Sequence, residues 1–204
     1  MTVAERHTGV TFRRAEPVMG TVVSFDVRPQ GLSGDATRAA LRRACAALHD
    51  ADACFSLYRA DSPLSRLRRG ELALGDAPED IGEVLDHCRR VRELSGGWFD
   101  PWALPGGVDP TGLVKGWATE RALRILEQAG VGAAMVNGAG DIAVCGRPAV
   151  DRRWRIGVRT PEASDRLSCV VEIDGAVATS GHYERGPHVL DPHTGEPASA
   201  ARSA

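Results

Sequence analysis

Ala133-Ala134-Met135-Val136-Asn137-Gly138-Ala139-Gly140-Asp141-Ile142-Ala143-Val144-Cys145 is the stretch whose reading decides the fold. Its spacing Gly138-x-Gly140-x-x-Ala143 superficially matches a dinucleotide fingerprint. That fingerprint needs a helix next, because the pyrophosphate rests on the helix N-terminus. Ile142-Ala143-Val144-Cys145 instead reads as a strand. The stretch therefore predicts strand, turn, strand, with Ala133–Val136 and Ile142–Cys145 as the two arms, and a Rossmann reading is rejected. A P-loop fails too: Gly107-x4-Gly112 is followed by Leu113 where lysine is required.

Working outward, Val18–Val27 reads as a strand, since Val23, Phe25 and Val27 alternate with Ser24 and Asp26. It opens with Met19-Gly20-Thr21, where a glycine lets a ligand approach the backbone or simply marks a bulge. Arg153–Arg159, with Trp154, Ile156 and Val158 on one face, and the alternation of Cys169, Val171 and Ile173 add strands, and Ala176–Thr179 suggests one more. Three longer helices are expected. Thr37 to about Ala53 carries Leu41, Ala44, Cys45, Leu48 and Ala51 on one face, with Asp35 near its start as a cap. Pro78 to Ser95 carries Ile81, Val84, Leu85, Cys88 and Val91, and Gly96-Gly97 ends it. The third carries Ala118, Ala122, Ile125, Leu126 and Ala129, and Gly130 closes it. Ser62-Pro63 reads as an N-cap followed by proline at N1 of a short helix. Strands adjacent in sequence argue for an α+β domain with a mixed or antiparallel sheet, not a parallel α/β sheet.

Lys115 lies between Asp109 and Glu120 and is the single lysine among 25 basic Lys and Arg residues. Lysine brings a compact ammonium where arginine brings a planar fork. Pro110 and Gly112 shape a turn just before a helical pattern. A lysine beside a helix N-terminus makes a good anion site, because free backbone N–H groups and the helix dipole point outward there. A chance surface position is the alternative. Tyr58, in an expected loop, either stacks on a flat ligand or packs over a helix end. Trp98-Phe99-Asp100-Pro101-Trp102 forms either a ring-binding lip or a core plug, and the sequence favours the plug.

The 204 residues, 43% hydrophobic, suit one domain that needs no disulfide staple. We expect a tail over residues 1–17 and the domain over 18–204. A net charge of −2 argues against nucleic acid as main partner. The five cysteines are odd in number and lack a Cys-x-x-Cys pair, which suits a reduced, cytoplasmic chain whose thiols pack as small hydrophobes. The first ten residues hold no apolar run of a secretory signal, and no window approaches a membrane span.

The tail Thr179-Ser180-Gly181-His182-Tyr183, then His188-Val189-Leu190-Asp191-Pro192-His193-Thr194-Gly195, gathers three of the six histidines. Three readings stand: a polar turn punctuated by Asp191-Pro192 and Thr194-Gly195, a histidine general base, or a metal cluster of His182, His188, Asp191 and His193. Thr179-Ser180-Gly181 lacks the Gly-x-Ser-x-Gly elbow of a nucleophile.

In chain order, these motifs resemble those of the ApbE family, the FAD:protein FMN transferases. They are Met19-Gly20-Thr21, Phe55-Ser56-x-Tyr58-x-x-Asp61-Ser62, Asp109-x-x-Gly112-x-x-Lys115-Gly116, Asn137-Gly138-x-Gly140-Asp141, Trp154-Arg155-Ile156-Gly157-Val158, Thr179-Ser180-Gly181 and His188-x-x-Asp191-Pro192-x-Thr194-Gly195. The resemblance implies a single T-fold-like domain. It also implies magnesium-dependent transfer of FMN from FAD to a threonine hydroxyl of an acceptor protein, with release of AMP. By that resemblance His188 is the general base, and Lys115 neutralises phosphoryl charge or contacts flavin. Met19, Tyr58, Trp98, Phe99, Asp100, Asp109, Lys115, Thr179 and Val189 would contact FAD, and Gly112 would offer a backbone carbonyl to Mg2+. The family continues with an Ala-Asp-Ala-x-x-Thr-Ala element bearing further magnesium ligands. Here the sequence reads Ala-Ser-Ala-Ala-Arg-Ser-Ala to Ala204, so a domain shortened at the C-terminus is expected. Hydrolysis of FAD to FMN and AMP, or FAD binding without catalysis, are the alternatives.

Overall fold

A computed structural model describes residues 10–103, 105–160, 163–181 and 189–198, the side chains of 163 and 164 excepted. Strands β1 (Phe12–Val18), β2 (Thr21–Arg28), β3 (Ala133–Gly138), β4 (Asp141–Cys145) and β7 (Ala176–Val177) form one sheet in the order β1-β2-β3-β4-β7, every pair antiparallel. Strands β5 (Trp154–Thr160) and β6 (Ala163–Ile173) form a separate antiparallel pair. The helices are α1 (Gly34–Phe55), α2 (Pro63–Arg68), α3 (Glu79–Leu94) and α4 (Thr111–Gln128). The architecture is α+β, as expected.

The alternation in β2 does what a half-buried strand requires. Val23, Phe25 and Val27 are buried against α1 and α4, while Val22 faces away and is exposed. Leu41, Ala44, Leu48 and Ala51 of α1 meet Val114, Ala118, Ala122 and Leu126 of α4 in the same core. Each fully buried leucine there contributes about 2 kcal/mol. Trp117 knits three helices: its ring meets Phe55 of α1 edge-on at 5.6 Å, and its indole N–H donates to Glu83 of α3 at 2.9 Å. The opposite face of the sheet carries a smaller cluster of Ala133, Ile142, Val144 and Trp154. The Trp154 indole N–H is satisfied by the carbonyls of Cys145 and Gly146.

Four expectations need correction. Residues 12–17 fall in the expected tail, yet β1 begins at Phe12 and is the edge strand. Its Arg13, Arg14 and Pro17 leave no apolar alternation in the sequence, and they also protect an open sheet edge. Met19-Gly20 is therefore the turn of a β1–β2 hairpin and not the opening of a strand. Helix α1 starts earlier than Thr37, and its cap is Ser33, whose hydroxyl accepts from the Ala36 N–H at 3.2 Å, with Asp35 in the first turn. The aromatic segment 98–102 is not a core plug. Trp98 is 65% exposed and Trp102 39%, and only Phe99 packs against the core.

The Ser62-Pro63 start holds. The Ser62 hydroxyl accepts from the Ser65 N–H at 3.1 Å and donates to the Ser56 carbonyl at 2.8 Å. Cys45, Cys54, Cys88 and Cys145 are buried as small hydrophobes, and Cys169 is exposed. Burial pushes each of the four buried thiols up to about 11, which keeps them unreactive. Among the described residues no helix is long and apolar enough to cross a membrane.

Candidate functional site

Strand register gathers the turns at one end of the main sheet. Val23 pairs with Gly138, so the Met19-Gly20 turn lies at the same end as the Ala139-Gly140 turn. Strand β7 pairs with β4 and delivers Thr179 to that end as well. There the Thr179 N–H and hydroxyl both donate to the Gly140 carbonyl, at 3.1 and 3.2 Å.

The Ala139-Gly140 turn is tightly built. Both residues are left-handed, with φ of +53° and +99°. The Asn137 side-chain oxygen accepts from the Gly140 N–H at 2.9 Å and ties the turn to its own strand. A Cβ at Gly140 would overlap the Thr179 hydroxyl, and one at Gly138 would overlap the Thr119 hydroxyl on α4. Absent side chains at both positions thus let α4 and the β7 loop close on the hairpin. Thr119 is itself occupied, donating back to the Lys115 carbonyl at 2.8 Å.

That close approach sets the reach of Lys115. Its stem lies against Gly138, and its ammonium donates to the Ala139 carbonyl at 3.2 Å and pairs with Asp141 Oδ2 at 3.3 Å. The Lys115 side chain is 25% exposed and that of Asp141 15%. The cation is therefore partly desolvated yet still open to a ligand.

Helix α4 begins beside it. Asp109 caps its start by accepting from the Thr111 N–H at 3.0 Å and hydroxyl at 2.6 Å. The Asp109 N–H donates to the Pro101 carbonyl at 2.8 Å, which ties the helix entry to the aromatic segment. Phe99 lies over Gly112, where an added Cβ would sit 3.3 Å from the ring. Trp98 meets the His193 ring edge-on at 4.9 Å and so reaches residues 189–198. Asp100 is committed to Arg92 at 2.7 Å and to the Trp102 N–H at 2.9 Å.

One rim thus runs from His193 through Trp98 and Phe99 to Gly112, Lys115, the 139–141 turn and Thr179. Of the residues expected to handle FAD, Met19 lies at the same sheet end, and Val189 accepts from the Ala198 N–H within the tail. Tyr58 stands fully exposed in the α1–α2 loop. His188 and His182 lie outside the described residues. Asp191 and His193 form a polar turn, with the His193 N–H donating to Asp191 Oδ1 at 2.8 Å. The described residues include no group of three His, Cys, Asp or Glu side chains able to hold a metal. In the sequence Asp141 stands only as the last residue of the Asn137-Gly138-x-Gly140-Asp141 motif, with no role attached. Its position directly after a glycine turn is the one signal the sequence carries.

The ApbE family model matches residues 19–106 and 103–204. The chain belongs to the ApbE family. Over 100 residues it is 30% identical to the FAD:protein FMN transferase of Salmonella typhimurium, covering 44% of this chain and 29% of that protein. The match to the enzyme of the same name from Vibrio cholerae is 33% identical over 100 residues, 44% of this chain and 30% of that protein. The aligned stretch thus spans under a third of the curated relatives' length. Among solved structures, the flavin transferase ApbE from Vibrio cholerae superposes with a TM-score of 0.78 at 20% identity, covering 95% of this chain and 80% of that one. The ApbE protein of Thermotoga maritima superposes with a TM-score of 0.80 at 22% identity, with the same coverage. These likenesses show an ApbE fold.

Proposed function

We propose that this ApbE-family chain transfers FMN from FAD to a threonine hydroxyl of an acceptor protein and releases AMP. The observation that carries the reading is the Lys115 ammonium, fixed at the turn where β3, β4, α4 and Thr179 meet. A diphosphate resting there gains a point charge close to the bond that breaks.

The proposed step is a displacement at phosphorus. The threonine oxygen bonds to the phosphorus attached to riboflavin, the bond from that phosphorus to the bridging oxygen breaks, and AMP leaves with its electron pair. A hydroxyl is a weak nucleophile until a base takes its proton, and by family resemblance His188 is that base. Trp98, Phe99 and Tyr58 offer apolar rings for the flavin or adenine, and two of the three are exposed. Met19, Asp100, Asp109, Thr179 and Val189 complete the proposed FAD contacts.

Magnesium belongs to the proposed reaction, and when bound it would neutralise charge on the transferring phosphate. The described side chains do not by themselves form a cage for it, since Asp141 pairs with Lys115 and Asp109 caps α4. The Gly112 carbonyl is the one contact we assign to the ion. Among the described residues, Lys115 is the cation we assign to the phosphates. The five unpaired cysteines support a reducing, cytoplasmic setting.

The test is incubation with FAD, Mg2+ and a candidate acceptor, followed by intact mass of the acceptor. A gain of one FMN is expected. No gain with any divalent cation contradicts transfer, and AMP released without acceptor would make water the nucleophile instead.

A further inference from the structure

Lys115 ends in an ammonium on four rotatable bonds, and holding such a group in one place costs side-chain entropy. Something must hold it if it is to meet a phosphate as a fixed charge. The Ala139 carbonyl takes one of its protons at 3.2 Å, and Asp141 Oδ2 stands 3.3 Å from the nitrogen as its ion-pair partner. Among the described residues no other partner engages it, which leaves N–H groups of the ammonium for a ligand. Asp141 is anchored in the sheet. It is the first residue of β4, opposite Gly138 in the hairpin register, and its carboxylate lies over the Lys115–Gly116 step, 3.9 Å from where a Cβ on Gly116 would sit.

Resting on the proposed function, we infer that Asp141 is a positioning residue. Its carboxylate fixes the Lys115 ammonium so that its uncommitted N–H groups face the dinucleotide's phosphates. The expected sign is informative. A carboxylate near an anion should by charge alone weaken binding, so its removal would tighten it. A positioning carboxylate gives the opposite result.

The experiment titrates FAD into the wild-type protein, Asp141→Asn, Lys115→Met and the double variant, with melting temperatures measured alongside. Asp141→Asn should weaken FAD by about tenfold in the wild-type background, the order of one charge-assisted hydrogen bond. In the Lys115→Met background it should change affinity by less than about twofold, because a residue acting through another has nothing left to position. Unchanged or tighter FAD binding by Asp141→Asn overturns the inference. So does an equal loss in both backgrounds, or a Lys115→Met variant that binds as the wild type does. If Asp141→Asn does not fold, Asp141→Glu carries the test. Affinity within about threefold of wild type supports positioning, and a tenfold loss overturns it. No FAD uptake by the wild-type protein overturns the proposed function, and this inference with it.

Discussion

The β1–β2 and β3–β4 hairpins of the main sheet are each tied to a helix through one carboxylate, and each turns through two left-handed residues. In the first, Glu16 pairs with Arg14 at 2.6 Å and with His49 of α1 at 2.8 Å, and the turn is Met19 (φ +54°) and Gly20 (φ +65°). In the second, Asp141 pairs with Lys115 of α4, and the turn is Ala139 and Gly140. Their surroundings differ. A Cβ on Gly20 would meet nothing within 4 Å, whereas one on Gly140 would strike Thr179. The first carboxylate meets an arginine and a histidine on well-exposed stems, and the second faces a partly buried ammonium. The same backbone solution closes a sheet edge in one place and builds a shaped, charged corner in the other.

Alanine in the two turns breaks the comparison most sharply. Gly140→Ala should cost about 3 kcal/mol, from a disfavoured φ and a steric overlap together. Urea unfolding would show it, and a loss under 1 kcal/mol would mean that Thr179 moves aside freely. Lys115→Met should lower FAD affinity by about 2 kcal/mol while the urea midpoint stays near wild type. A collapse of the fold would make the lysine structural. Gly20→Ala, strained but unobstructed, should cost only about 1 kcal/mol. A loss as large as that at Gly140 would erase the distinction between the turns.

Acid sharpens the comparison at the first hairpin. The hydrogen bond with His49, followed by that from Arg14, holds the Glu16 carboxyl down to about 2, from an ordinary 4.5. A lowered carboxyl contributes stability above its unfolded value and loses it as pH falls through the folded one. Glu16→Gln should therefore be less stable than wild type at neutral pH, and the gap should close between about pH 4.5 and 2. Chemical denaturation across that range would check it, and a constant gap would contradict the assignment.

How much of this is legible in the sequence depends on where the deciding contacts lie. Val23, Phe25 and Val27 announce β2 because one face of that strand is buried and the other is not. Ser62-Pro63 announces α2 because caps are local. Strand β1 is silent, since an edge strand satisfies half its backbone groups in one neighbour and leaves its side chains free to be charged. The Trp98 segment misleads, because large rings usually mean core and here they line a rim. Lys115 stands out by composition, and the helix start beside it by Pro110. Its partners do not, since the Ala139 carbonyl and Asp141 reach it only through the pairing of β3 with β4 and the packing of α4 on both.

The most direct test compares FAD with riboflavin, which carries the same ring system without phosphates. Calorimetric titration should show that wild-type protein binds FAD more tightly than riboflavin and that Lys115→Met largely removes the difference. Equal affinities in the wild-type protein, or a preference for FAD untouched by Lys115→Met, would contradict the placement of the phosphates at this corner.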